Sequence, residues 1–342
     1  MIDGGGNAYA GLLEPPVGVV PPPADSRLDG VSAALRAAGG DAVRAILLYG
    51  SHVQASEPDR FSAYDLIVLV DGYRRFYDGM AAAGLLRRSP AVMAAWSHVL
   101  LPTSVSFDPR RADGAVAKCQ LVSSAHFRET LGPRSKDHFL KGRTVQRLAL
   151  VWARDEAAAR FVFDTLRRVQ EQSVKWVRPY LPAHFVAEQY AETMLRVSYS
   201  AEIRPETGDR VREVYEAQRD TLGAIARQAM GAAVARGEAT ERDGGWVWTL
   251  PPGGRDRLGA TAYFARSKTR ATARWIKHIA TFEDWPLYIM RKLERRAGLR
   301  VDVTERERRW PFILLWPKLF YVLRQLKRGR RPGDTPGGIS TV

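Results

Sequence analysis

The sequence predicts an α/β domain, then a mainly helical domain with a small wing, and an amphipathic helix near the C-terminus. Three observations predict it. Two apolar runs closed by glycine, AVRAILLYG (42–50) and YDLIVLVDG (64–72), read as buried strands. From about residue 155 the chain turns to long Ala-, Arg- and Glu-rich segments of helical period. Further on, RRWPFILLWPKLFYVLRQLKRGRR (308–331) sets an apolar, aromatic stretch between basic clusters. At 342 residues the chain exceeds the usual size of one domain. The boundaries read as a flexible N-terminus over 1–25, an α/β domain over 26–154, a helical domain over 155–300 and a basic tail over 301–342.

Each element has a local reason. The first 25 residues are rich in Gly and Pro and predict no fixed structure before Asp25-Ser26, where a helix can start. SRLDGVSAALRAAGG ends on a Gly pair, which suits a left-handed C-cap. After the two strands, RRFYDGMAAAGLLRRSPAVMAAWSHVL reads as helical with a break at Pro90. TSVSF, AKCQLVS and RLALVWA are shorter strands that can extend the same sheet. The segments 155–181 and 211–237 have helical period, GGWVWTLPPGG (244–254) reads as a hairpin or wing, and helix resumes at Ala260.

Composition narrows the function classes. The formal charge of +15 calls for an anionic partner, and nucleic acid, a phospholipid surface and a nucleotide all qualify. Cys119 is the only cysteine, which excludes disulfides within the chain and cysteine-built zinc sites. It reads as a core residue. The first residues lack a basic n-region and do not read as a signal peptide. No stretch reaches the roughly 18 consecutive apolar residues of a spanning helix. His52, His98, His126 and His138 show no metal-ligand spacing, and Asp71 reads as the cap of the turn at Gly72.

The chemistry concentrates where the first strand ends and the second begins. Gly50-Ser51 at a strand-to-helix turn lets backbone N–H groups approach a phosphate, and the Ser51 hydroxyl can add a hydrogen bond. Asp65, opening the next strand, can face the same mouth and hold Mg²⁺ against the phosphates. This layout resembles the polymerase-β type of nucleotidyltransferase. There the strand usually carries a second carboxylate two positions on; here that position is Ile67.

Read with later segments, YGSHVQ and YDLIVLVDG resemble the mitochondrial translocator-maintenance type of phosphatidate cytidylyltransferase, whose strand also lacks the second carboxylate. The likeness continues in chain order over roughly 45–280. AKCQLVSSAHFRETL places Lys118, FLKGRTVQRLALV places Gly142 and Arg143, and RVSYSAEIRP places Ser198, Tyr199, Ser200, Glu202 and Arg204. FARSKTRATARWI echoes a late Ser/Lys-rich helix of that family. Phe76-Tyr77 stands where the family has Trp-His, and GLLRRSPAVMAAW holds no Asn-x-x-His-Tyr-Ser. Ala201 and Glu202 replace a Gly and an Asp. These departures bear on the acceptor more than on the fold.

The resemblance implies a divergent, bacterial CDP-diacylglycerol synthase that converts CTP and phosphatidate to CDP-diacylglycerol and pyrophosphate with Mg²⁺ as cofactor. It implies Asp65 and Glu202 as catalytic metal ligands. Gly50, Ser51, Lys118, Arg143, Ser198, Tyr199 and Arg204 are implied as nucleotide and phosphate contacts. The tail predicts peripheral, monotopic attachment to an anionic phospholipid surface on the cytoplasmic face of the inner membrane. Trp310, Phe312, Trp316 and Phe320 would enter the headgroup boundary, with Lys327 and Arg328 on lipid phosphates. Two alternatives stay open: nucleotidyl transfer to a nucleic acid or a small alcohol, and a non-catalytic membrane-associated homologue. A nucleic-acid partner is not expected, because no aromatic-basic stacking motif stands out.

Overall fold

Alternation of side chains across two central strands decides the layering of the protein. A computed structural model describes residues 13–54, 63–107, 116–201 and 208–281. Its elements run β1 (Val19–Val20), α1 (Ser26–Gly39), β2 (Val43–Tyr49), α2 (Ser51–Gln54), β3 (Tyr64–Val70), α3 (Tyr73–Ala82), α4 (Pro90–Trp96), β4 (Thr103–Phe107) and β5 (Ala117–Ser123). Then come α5 (Ser124–Leu131), α6 (Phe139–Thr144), β6 (Leu148–Ala153), α7 (Glu156–Glu171) and α8 (Val174–Val177). The last are β7 (His184–Phe185), α9 (Ala187–Ser200), α10 (Gly208–Ala235), β8 (Ala239–Arg242), β9 (Gly245–Trp248) and α11 (Gly254–Thr281).

Six strands form one mixed sheet in the order β1-β6-β2-β3-β5-β4. β2 pairs antiparallel with β3 and β6, whereas β3 pairs parallel with β5. Because successive residues of a strand point to opposite faces, β3 divides its apolar set. Tyr64, Leu66, Val68 and Val70 pack with Leu28 and Leu35 of α1 and with Phe76 and Tyr77 of α3. Ile67 and Leu69 pack on the other face with Phe127 of α5, Leu140 of α6 and Val162 of α7. Both faces are covered, so the strands read as continuous apolar runs.

The helical region builds its own core, in which Trp176, Phe185, Tyr190, Met194, Ile225, Met230, Trp246 and Trp248 meet. The expected wing is a three-stranded sheet, β7-β9-β8, because His184–Phe185 adds a strand to the hairpin. The segment 155–181 is not one helix. It breaks at Ser173, whose hydroxyl donates to the Gln170 carbonyl at 2.5 Å and meets Tyr190 Oη at 2.7 Å. The last described helix starts at Gly254 rather than Ala260, because the Asp256 carboxylate accepts from the Gly253 N–H at 2.9 Å and caps it.

Against the expectation of no fixed structure up to residue 25, Val19–Val20 forms an edge strand parallel to β6. Gln170 donates to the Val17 carbonyl at 2.7 Å, and the Leu148 N–H donates to the Gly18 carbonyl at 2.9 Å. The helix start at Asp25 is as expected, with its carboxylate accepting from the Arg27 N–H at 3.0 Å and from the Tyr64 hydroxyl. The described residues form one compact unit. Glu202, Arg204 and the tail residues Trp310, Phe312, Trp316, Phe320, Lys327 and Arg328 lie outside the described residues.

Candidate functional site

Antiparallel pairing sets the end of β2 beside the start of β3, and Tyr49 faces Asp65. Gly50 follows with φ +80°, in the left-handed region that favours glycine. A Cβ on Gly50 would lie 2.9 Å from Oδ2 of Asp65. The carboxylate therefore occupies the space that a side chain at position 50 would need. Backbone angle calls for glycine here, and a larger residue would also oblige the Asp65 carboxylate to turn aside.

Register carries the row across the sheet. Asp65 pairs with Lys118 of β5, and Lys118 with Ser106 of β4. Gly50, Ser51, Asp65 and Lys118 are all half-buried at this edge. Ile67, two positions along on the same face, is fully buried among apolar side chains. A second carboxylate there would have to be desolvated within the core.

The later segments singled out in the sequence meet this row through α6. Gln54 of α2 donates to Gln146 at 3.0 Å, and Gln146 in turn donates to the Gly142 carbonyl at 2.5 Å. Arg143 lies 3.6 Å over the Phe139 ring and 5.8 Å from the ring centroid of Tyr49. Its guanidinium donates to the Phe139 carbonyl at 2.7 Å. On the other side of α6, a Cβ on Gly142 would lie 3.2 Å from the Ser198 Cβ. The motifs around Gly50, Asp65, Lys118, Arg143 and Ser198 are thus assembled into one continuous region.

Not every sequence candidate reaches the mouth with a usable group. Ser198 is buried, and its hydroxyl donates to the Met194 carbonyl at 2.7 Å while meeting His138 Nε2 at 3.1 Å. His138 Nδ1 faces the Tyr263 hydroxyl at 3.3 Å. Because the Ser198 proton goes to the Met194 carbonyl, it is the Nε2–H that donates to Ser198. Ser198 and His138 are therefore spent on joining α6, α9 and α11. Tyr199 packs against the core of the helical region. Asp71 stands at the far end of β3 and pairs with Arg154 at 2.5 Å.

Three features escape a linear reading. His278 of α11 comes close enough to Lys118 to feel its charge. Burial and that charge together push the imidazole down to about 4. Asp137 is buried and paired with Arg274 at 2.6 Å and Arg270 at 3.0 Å, anchoring α11 beside α6. Lys141, also buried, is pushed down to about 8 by desolvation and then by Lys175. The i, i+4 spacing of Arg270 and Arg274 marks one face of a helix, but only the fold says that Asp137 answers it.

Among the described residues no group of three His, Cys, Asp or Glu side chains could hold a metal ion. One carboxylate at Asp65 fits a Mg²⁺ that arrives on a triphosphate, since that ion is commonly held by one or two carboxylates plus phosphate oxygens and water. No protein-family model matches the chain, and no curated protein matches it significantly.

Proposed function

We propose that this chain is a polymerase-β-like nucleotidyltransferase that transfers the cytidylyl group of CTP to phosphatidate, releasing pyrophosphate. The observation that supports it most is the close fit of Gly50 against the Asp65 carboxylate, with Ser51, Lys118 and Arg143 gathered round the same sheet edge. In this reading the Gly50-Ser51 turn and the two cations hold the triphosphate. A phosphate oxygen of phosphatidate attacks the α-phosphorus and forms a new P–O bond. The bond from that phosphorus to the β-phosphate oxygen breaks, and pyrophosphate leaves with the electron pair.

A phosphate monoester is already anionic near neutral pH, so the acceptor needs no strong base. What the protein must supply is alignment and compensation of charge. Lys118 and Arg143 do this from opposite sides of Asp65. Mg²⁺, held by Asp65 and with Glu202 as the second ligand in this reading, supplies charge neutralisation on the triphosphate when bound. Peripheral attachment to the membrane through the 308–331 segment belongs to the same proposal. Among the described residues no helix is long and apolar enough to cross a membrane.

Purified protein incubated with labelled CTP, phosphatidate and Mg²⁺ should yield labelled CDP-diacylglycerol and pyrophosphate. Transfer to RNA or to a small alcohol instead would assign a different acceptor. Folded protein that transfers to none of them would refute the activity.

A further inference from the structure

The short helix α4 is built inside out for a helix facing water. Met93 and Ser97 point inward, and Ser97 donates to the Met93 carbonyl at 2.9 Å while meeting the Tyr77 hydroxyl at 2.9 Å. Beside them, turned to solvent, stand Val92 (52% exposed) and Trp96 (42%), with Val99 (50%) in the turn after the helix. Val92 and Trp96 are i and i+4 on α4, and in the turn that follows the Val99 N–H donates to the Trp96 carbonyl at 3.1 Å, which sets the three side by side. Scattered exposed apolar residues are ordinary, but three in one stripe including a Trp are a contact surface.

Charge says what covers it. No Asp or Glu occurs from Gly79 to Phe107, and the exposed pair Arg87-Arg88 immediately precedes α4. A Trp-bearing apolar stripe with basic residues beside it matches an anionic lipid surface, where rings enter the headgroup layer and guanidinium groups meet phosphates. The stripe is also held firm from behind. Lys277 of α11 donates to the Val99 carbonyl at 2.5 Å and to Thr103 Oγ1 at 2.7 Å, and Arg274 donates to the Leu101 carbonyl at 3.0 Å. A surface so fixed loses little freedom on docking. Thr103 starts the strand whose Ser106 pairs with Lys118, so the stripe adjoins the sheet roughly 10 Å along β4 from the candidate site.

We propose that Val92, Trp96 and Val99, with Arg87 and Arg88, form a docking surface for an anionic bilayer, separate from the 308–331 segment. The inference deepens the bilayer-borne acceptor proposed above and rests on it. Cys119 is the sole cysteine and is fully buried, so a cysteine placed on the stripe can be labelled selectively. Full-length Val99→Cys carrying an environment-sensitive nitrobenzoxadiazole label should brighten at least about twofold on vesicles of phosphatidylcholine with phosphatidylglycerol. It should stay dim on phosphatidylcholine alone. Adding Arg87→Glu and Arg88→Glu should remove most of the brightening.

A label that stays dim while the protein floats with the anionic vesicles would overturn the proposal, as would failure to float at all. Brightening with rising protein concentration and no lipid would overturn it too, assigning the stripe to a second copy of the chain. Phosphatidylglycerol is not the proposed acceptor. Docking without turnover in the CTP assay would therefore refute the transferase reading and leave the surface standing.

Discussion

If Asp65 fills the space beside Gly50, the two positions must be energetically coupled, and a double-mutant cycle can measure it. Gly50→Ala imposes two costs. Placing a Cβ at φ +80° costs roughly 1–2 kcal/mol in backbone strain whatever surrounds it. The new Cβ also meets Asp65 Oδ2 at 2.9 Å, and turning the carboxylate aside to relieve that contact costs about 0.5–1.5 kcal/mol. Asp65→Ala removes that oxygen, and the next nearest Asp65 atom, its Cβ, is at an ordinary 3.5 Å. In the Asp65→Ala background Gly50→Ala should therefore cost only the strain, and the cycle should show a coupling of about 0.5–1.5 kcal/mol. Urea unfolding supplies the assay, read as a shift in midpoint at unchanged slope. Additivity of the two substitutions within about 0.5 kcal/mol would refute the packing of the carboxylate on Gly50.

Other predictions follow from the same geometry. Asp65→Asn and Ser51→Ala should each lower cytidylyl transfer by roughly two orders of magnitude or more in folded protein, measured as kcat/KM with CTP and phosphatidate. Asp137→Ala leaves Arg274 buried without its carboxylate and should cost about 3–5 kcal/mol in chemical unfolding; a loss under ~1 kcal/mol would show the pair to be dispensable. For Lys141, burial lowers the folded ammonium from 10.5 to about 8, so the unfolded chain binds more protons between those values. The lysine's contribution to stability therefore rises with pH through that window. Lys141→Met should raise stability at pH 7 by on the order of 3 kcal/mol and abolish that part of the rise, as unfolding midpoints of the two proteins from pH 7 to 10 would show.

The central strands could be read directly, because β2 and β3 are apolar runs interrupted only by Arg44 and Asp65 and closed by Gly50 and Asp71-Gly72, and burial on both faces demands that composition. The edge strand β1 could not. Two valines in a Pro-rich segment have no local signal, and their pairing is decided by Leu148 and Ala149 far along the chain. The break at Ser173 was hidden for a similar reason, since its partner Tyr190 belongs to another helix. In the site, chain order alone suggested Gly50 beside Asp65. The resemblance to a family singled out Gly142 and Ser198 separately, and only the fold brings them together. His278 beside Lys118 carries no sequence signal, because nothing local ties a helix near residue 278 to a strand near 118.

The placement of β1 also bears on how the protein is made. Val19–Val20 leaves the ribosome early, yet its partner Leu148–Ala149 follows roughly 130 residues later, about ten seconds at common elongation rates. Gly18, tucked against Thr221 and Ile225, waits longer still. The β2–β3 pair can close in the meantime, but one edge of the sheet stays open and able to pair with another strand until β6 emerges. A bulky fusion placed directly before Val19 would hinder that late closure, so an affinity tag belongs well upstream of residue 13.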